Sequence, residues 1–270
     1  MTSRRQLLQL MGAGLVAGTS TRAFPQQAEH ARLPRNDPPE AAGAPVSPQG
    51  YLPVRTLNGW TLPYEVRNGV KEFHLVAEEI EHEFAPGSRA RCWGYNGTTP
   101  GPTIEVVEGD RVRIYVTNRL GEGTSIHWHG IDLPAGYDGV AGLNQPAIGP
   151  GETYVYEFTL RQHGTHMYHP HADEMTQMAF GMMGLFIIHP RAPEAVPVDR
   201  DYAFLLHNWA LHPGTYRPDP SVMTDFDLWT FNSKVFPATE PLVMRTGERL
   251  RVRIGNLSMW NHPIHLHSNP

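Results

Sequence analysis

The sequence predicts an all-β protein that is built as a β-sandwich. Its 26 glycines and 25 prolines in 270 residues favour many turns and short strands over long helices. Apolar and polar residues alternate along 112–116 and 154–158, which is the pattern of a strand with one buried face. The continuous apolar run at 185–188 is typical of a core strand, and no stretch has long helical amphipathicity.

The N-terminus predicts an export signal over residues 1–23. The run 3–8 (Ser-Arg-Arg-Gln-Leu-Leu) resembles a twin-arginine motif, and a mostly apolar stretch follows it to Ala17. That stretch is too short to span a bilayer in the mature protein. We therefore expect a soluble protein, periplasmic or secreted, that uses the twin-arginine route and does not associate with a membrane. An ordinary basic tail is the alternative.

The net charge excludes nucleic acid as a partner, and the composition of residues 24–58 sets this stretch apart from the rest of the chain. A net charge of −5 offers no basic surface for nucleic acid. Cys92 is the one cysteine, so no disulfide forms within the chain, and we interpret it as an inert buried thiol. Residues 24–58 are rich in Pro, Ala and Gln and predict a flexible or loosely attached arm.

An internal repeat follows the arm. The run 109–114 (Gly-Asp-Arg-Val-Arg-Ile) returns 138 positions later as 247–252 (Gly-Glu-Arg-Leu-Arg-Val). The run 93–97 returns as 229–233 at an offset of 136. The repeat predicts two copies of one β-domain.

The repeat also sets the predicted domain boundaries. The first copy is complete and the second contains only the first half of a domain. The joint falls in the segment that follows Pro190. The two predicted domains cover 59–192 and 196–270.

Histidines mark corresponding points in both copies. The 15 histidines include three His-x-His pairs, namely His127/His129, His169/His171 and His265/His267. The first pair returns as the third at the offset of 138. Residues two apart on a strand point to one side, so each pair presents two imidazoles together. Imidazole suits copper, zinc, iron or nickel, although zinc more often recruits Cys or a carboxylate as well. An isolated pair favours plain surface histidines, whereas repeated pairs indicate a metal cluster.

At these residues the sequence resembles the multicopper oxidases. Three of the family's four copper motifs are visible, at 127–130 (His-Trp-His-Gly) with Asp138 after it, at 169–171 and at 262–267. The resemblance runs from about Trp93 to the end of the chain. It implies a cupredoxin-like Greek-key β-sandwich, with one complete domain and the first half of a second.

The resemblance implies a role for each matching residue. Seven histidines match the family's copper ligands: His127 and His265 for the type 2 copper, His129, His169, His171 and His267 for the type 3 pair, and His262 for the type 1 copper. Asp138 matches an acidic position that helps to supply protons during oxygen reduction. A turn residue before Gly139 is the alternative interpretation of Asp138.

The first domain lacks the family's blue-copper ligands. Thr124, Pro170, Met175 and Phe180 stand at the four ligand positions. A blue copper site needs a thiolate and two imidazoles, so we expect the type 1 copper only in a complete second domain. The fourth motif, His-Cys-His, would fall beyond Pro270. We therefore expect a C-terminally truncated chain without oxidase turnover of its own.

The resemblance implies a laccase-like oxidase that couples one-electron oxidation of phenols or metal ions to reduction of dioxygen to water. Its partners would be dioxygen, a small electron donor and two further copies in a homotrimer. The main alternative is a non-catalytic periplasmic protein for copper binding and copper tolerance. A copper nitrite reductase and a zinc hydrolase are further alternatives. Five methionines within 167–183 offer soft ligands for Cu(I), although we favour core and loop filling.

Overall fold

The structure, a computed structural model, describes residues 50–267 as three β-sheets, one short α-helix, α1 (Glu174–Ala179), and one 3-10 turn at Ala135–Tyr137. The all-β prediction is confirmed. In chain order the strands are β1 (Arg55–Thr56), β2 (Glu65–Arg67), β3 (Val70–Ala85), β4 (Ser88–Tyr95), β5 (Ile104–Val107), β6 (Arg111–Asn118), β7 (His127–His129), β8 (Thr153–Thr159), β9 (Gly164–His169), β10 (Gly184–His189), β11 (Arg200–Trp209), β12 (Leu228–Phe231) and β13 (Leu250–Asn256). The expected export signal and most of the expected arm lie outside the described residues.

The strand order differs between the three sheets. The first sheet runs β2-β3-β6-β8, with β4 paired to the far end of β3. The second sheet runs β5-β10-β9-β7. The third sheet runs β1-β11-β12, with β13 on β11. All of these strands belong to one compact unit, and the domain boundaries predicted at 59–192 and 196–270 stay a prediction.

Strand β10 shows why the second sheet is apolar on both faces. Phe186 and Ile188 belong to the core shared with the first sheet. Leu185 and Ile187 belong to a second core with Leu205 of the third sheet. A strand buried on both faces has a continuous apolar sequence, which accounts for the run predicted at 185–188.

The repeat in the sequence is also a repeat in the topology. Strand β3 pairs in parallel with β6 and antiparallel with β4, and β11 pairs in the same senses with β13 and β12. Tyr95 lies opposite Ala77 in the first copy, as Phe231 lies opposite Leu206 in the second. Tyr95 is fully buried, whereas Phe231 is 42% exposed.

Residues 50–62 form a segment, here called the strap, that differs from the expected loose arm. Strand β1 pairs in parallel with β11, and Leu57 is only 1% exposed. The backbone N–H of Val54 donates to Glu105 Oε1 (2.7 Å), and Asn232 Nδ2 donates to the carbonyl of Leu57 (2.7 Å). The expectation of a flexible arm is therefore wrong for 50–58, because buried apolar side chains and hydrogen bonds hold this stretch.

Between residues 50 and 267, no helix combines the length and the apolar character that crossing a bilayer would require.

Candidate metal centre

Strands β7 and β9 bring two His-x-His pairs to one place. Their antiparallel register sets His127 opposite His169 and His129 opposite Met167. Opposed residues of an antiparallel pair share a face of the sheet, and so do residues two apart on one strand. The three histidines therefore project from one face, and each offers a ligand nitrogen within 4.8 Å of the others.

A fourth imidazole joins them from the turn after β9. The ring centroid of His171 lies 5.5 Å from that of His127. The backbone N–H of His171 donates to Ser125 Oγ (3.3 Å), and this hydroxyl donates to the carbonyl of Gly139 (2.6 Å). Because Ser125 is fully buried, it ties the two motifs together. We call the group of His127, His129, His169 and His171 the histidine quartet.

Backbone carbonyl groups orient two rings of the quartet. Nδ1 of His127 donates to the carbonyl of Asp138 (2.8 Å), and Nδ1 of His169 donates to the carbonyl of Pro170 (3.0 Å). A carbonyl only accepts, so the lone pair of each ring lies on Nε2. Metal-binding histidines are usually held by such a bond from the other ring nitrogen.

The donor set fits copper. Burial lowers the pKa of His169 to about 4, so this imidazole is neutral at pH 7, and its lone pair lies on Nε2, which is 3.1 Å from Nδ1 of His129. The group of three contains only imidazole nitrogens, with neither a thiolate nor a carboxylate. Such a set suits copper, and it also suits zinc, iron or nickel.

Asp138 lies at the edge of the quartet. Its Oδ1 is 3.3 Å from Nδ1 of His127, and its side chain is 39% exposed. Gly139 follows with φ +85°, and a Cβ there would lie 1.7 Å from the carbonyl oxygen of Ile126. The glycine therefore lets this loop approach β7 closely enough for Asp138 to reach His127. Asp138 is both a turn residue and a neighbour of the quartet.

The third motif does not join the quartet within this chain. Nε2 of His262 lies 2.7 Å from Ser258 Oγ. The rings of His265 and His267 are 4.7 Å apart, and both residues are exposed. Among residues 50–267, the quartet supplies the one group of three or more potential metal ligands.

Two of the residues that the resemblance sets at the blue-copper positions, Thr124 and Phe180, are buried and uncharged. The hydroxyl of Thr124 donates to Gln177 Oε1 (2.7 Å), and both residues are fully buried. Phe180 packs against Trp93. Cys92 is also buried, and burial raises the pKa of its thiol to about 12. The prediction that this thiol is buried is confirmed.

The methionine-rich segment has no single environment. Met182 and Met183 are fully buried in the two cores, and Met167 and Met178 pack against the second core. Met175 is 46% exposed. Core filling therefore explains four of the five methionines.

Two residues near the centre were not singled out by sequence reasoning. Glu174 places Oε1 at 3.6 Å from Nδ1 of His169 and Oε2 at 3.8 Å from Nε2 of His171. Gln177 anchors α1 by accepting the hydrogen bond from Thr124 that is described above. An acidic residue three positions after the second pair was the available signal for Glu174.

Comparisons with known proteins agree with these observations. Two family models, both described as multicopper oxidase, match residues 77–193 and 212–270. The chain is 46% identical to copper resistance protein A of Escherichia coli over 123 residues, which is 46% of this chain and 20% of that protein. It is 45% identical to laccase-2 of Botryotinia fuckeliana over 146 residues, which is 53% of this chain and 24% of that protein.

A third relative matches more of the chain at lower identity. The probable nitrite reductase-hydroxylamine oxidoreductase fusion protein of Kuenenia stuttgartiensis is 27% identical over 230 residues. This match covers 81% of this chain and 26% of the relative. The matched stretches thus span about a fifth to a quarter of the length of these curated relatives.

Solved structures show the same likeness in three dimensions. A multicopper oxidase of Pseudomonas thermotolerans superposes with a TM-score of 0.64 at 30% identity, covering 70% of this chain and 47% of that one. A blue copper oxidase of Nitrosomonas europaea superposes with a TM-score of 0.63 at 32% identity, covering 69% and 61%. The cupredoxin-like sandwich is therefore confirmed.

Proposed function

Because this chain belongs to the multicopper oxidase family, we propose that its histidine quartet holds copper for the oxidation of a small electron donor by dioxygen. The single observation that carries this proposal is the convergence of three imidazoles, with ligand nitrogens within 4.8 Å of one another. Phenols and metal ions are the proposed donors, and water is the proposed product.

We assign ligand roles on the same basis. The proposed ligands are His127 and His265 for the type 2 copper, His129, His169, His171 and His267 for the type 3 pair, and His262 for the type 1 copper. His265 and His267 are exposed and stand apart from the quartet of their own chain. This separation supports a homotrimer in which a neighbouring copy supplies them.

Bound copper would supply the one-electron chemistry. The protein orients the imidazole rings, excludes water and holds a proton. The carbonyls of Asp138 and Pro170 keep the Nε2 lone pairs of two rings available. Trp128 lies between His127 and His129 and is fully buried, so it excludes water from the far side of β7. Asp138 is partly exposed beside His127, and we assign it to hold and pass a proton at Oδ1.

Metal loading tests the copper proposal. Protein loaded with Cu(II) or Zn(II) and desalted is expected to retain copper, as measured by elemental analysis. The double variant His127→Ala and His169→Ala is expected to lose most of this copper, while His163→Ala, an exposed histidine outside the quartet, retains it. Equal copper in all three proteins would refute the proposal, and retention of zinc alone would favour a zinc hydrolase.

Oxygen consumption tests the reaction. The chain 24–270 alone is expected to bind copper without consuming dioxygen in the presence of a phenol or Cu(I). Consumption by that polypeptide would contradict the proposed division of ligands between domains. The second candidate, a copper-binding protein without turnover, predicts the same result for this polypeptide and is favoured by the similarity to copper resistance protein A. Nitrite reduction, suggested by the fusion-protein relative, is measured in parallel.

We also propose export through the twin-arginine route to the periplasm or the outside of the cell. The support is the sequence of residues 3–8 alone, because this segment lies outside the described residues. Replacing Arg4 and Arg5 by Lys is expected to retain the protein in the cytoplasm on fractionation. Unchanged export of that variant would exclude this route.

A further inference from the structure

We infer that Glu174 is a positioning residue that holds the imidazoles of His169 and His171 for copper, an inference that rests on the function proposed above. Its carboxylate lies between the two rings, with Oε1 at 3.6 Å from Nδ1 of His169 and Oε2 at 3.8 Å from Nε2 of His171. One side chain thus faces both members of the second His-x-His pair.

The turn at Asp173 and the start of α1 fix the position of Glu174. Glu174 is the first residue of α1, and Asp173 before it adopts a left-handed conformation with φ +47°. This turn reverses the chain directly after His171, which returns the helix start toward the pair. Thr176 Oγ1 donates to Asp173 Oδ1 (3.0 Å) and so supports the same turn.

A buried side chain on the next turn keeps α1 from moving. Gln177 is fully buried, and its Nε2 donates to the carbonyl of Gly123 (2.8 Å). Its Oε1 accepts the hydroxyl of Thr124 (2.7 Å). Gly123 and Thr124 lie in the segment that leads into β7. The helix that carries Glu174 is therefore locked to the strand that carries His127 and His129.

The electrostatic effect follows from this placement. On His169 the carboxylate lies beside Nδ1, on the opposite side of the ring from the Nε2 lone pair, and a carboxylate placed there raises the basicity of the ligand and fixes its orientation. The quartet has a second carboxylate at its other side, where Asp138 Oδ1 lies 3.3 Å from His127. Two carboxylates thus flank the quartet, which would receive dipositive copper. Losing one of them weakens the attraction and frees two rings to rotate.

The test compares Glu174→Gln with the wild-type chain. Gln keeps the size of the side chain and removes its charge, and Glu174 is 39% exposed, so the fold tolerates the change. We expect the Kd for Cu(II), measured by competition with a chelator, to rise about tenfold. The electron paramagnetic resonance spectrum of the bound Cu(II) is also expected to change. Glu174→Asp is expected to restore part of the affinity.

Two controls separate this effect from others. Glu122→Gln removes the same charge from an exposed residue of the preceding loop, and it is expected to leave both readouts unchanged. Equal thermal midpoints exclude a loss of folded protein. A Kd within twofold of wild type and an unchanged spectrum in Glu174→Gln would overturn the inference. A wild-type chain that binds no copper would instead overturn the proposed function itself.

Discussion

Single buried polar side chains determine how the parts of the metal centre stand relative to one another. Thr124 and Gln177 satisfy each other in a place where neither touches water. Such pairs stabilise modestly when intact and cost more when one partner is removed, because the remaining polar atom stays buried without a partner.

Thr124→Val tests this point at the scale of one hydroxyl group. The valine has nearly the same shape but cannot donate to Gln177 Oε1, so the free energy of unfolding is expected to fall by about 1–3 kcal/mol. Urea denaturation measures the change. Thr117→Val, which removes an exposed hydroxyl paired with Thr153, is the control and is expected to change it by less than about 0.5 kcal/mol. Equal losses would contradict the argument.

Two buried histidines outside the quartet make the free energy of unfolding depend on pH. Burial lowers the pKa of both His82 and His207 to about 4, against an ordinary value near 6.5. Below pH 6.5 the unfolded chain therefore binds protons that the folded chain does not. Each such group reduces the free energy of unfolding by up to about 1.4 kcal/mol per pH unit as the pH falls from 6.5 to 4.

The measurement is the urea midpoint at pH 7.0 and at pH 5.0. It is expected to be lower at pH 5.0, and His82→Gln is expected to show a smaller difference, because Gln has no proton to gain. Gln can still donate toward the carbonyl of Ser233, the present partner of His82 Nε2. A midpoint that stays constant or rises toward pH 5.0 would show that these rings are already protonated in the fold.

At the scale of elements, the loop after β7 decides whether the first motif meets the second. Gly139 combines a positive φ with a close approach to Ile126, so no other residue fits there without moving the loop. Strands β7 and β9 are short, and this loop and α1 hold them in place from both sides.

Gly139→Ala is expected to lower the free energy of unfolding by at least about 2 kcal/mol and to reduce copper retention. Its matched control is Gly142→Ala in the same loop. Gly142 also has a positive φ (+82°), but no atom lies within 4 Å of an added Cβ. The control is expected to cost about 1 kcal/mol of backbone strain and to leave copper retention unchanged. Similar results for both variants would mean that the close approach is unimportant.

The sequence predicted those strands whose apolar residues follow a regular pattern. The alternation at 112–116 and the apolar run at 185–188 gave β6 and β10, because burial on one or two faces leaves a direct pattern. The His-x-His pairs correctly indicated shared faces within β7 and across to His169. The position of Glu174 was missed because it depends on the left-handed turn at Asp173, which only tertiary contacts select.

At the scale of the whole molecule, two features escaped prediction for physical reasons. The apolar residues of the strap follow no clear period, because Arg55 and Thr56 separate Val54 from Leu57. Its order comes from partners far along the chain, such as Asn232. The exposed placement of the third motif likewise depends on contacts that no local pattern encodes.

Leu57→Ala distinguishes an ordered strap from a loose arm. Removing a side chain that is 1% exposed is expected to lower the free energy of unfolding by about 2–5 kcal/mol, whereas a loosely attached segment would give almost no change. Thermal or urea unfolding measures it. Leu143→Ala, at a leucine that is 79% exposed, is expected to have an effect below about 0.5 kcal/mol. If both variants unfold alike, the strap does not stabilise the molecule.

The parallel pairing of β1 with β11 has a consequence for biosynthesis. Arg55 lies opposite Tyr202, so a ribosome makes the partner strand almost 150 positions after it makes β1. At about 5–20 residues per second this delay lasts about 7–30 s, during which Val54 and Leu57 lack the third-sheet strand beside which they pack. Nascent chains arrested before residue 200 are therefore expected to bind chaperones and to be cleaved by proteases in the strap, and chains arrested well beyond β13 are expected to resist both.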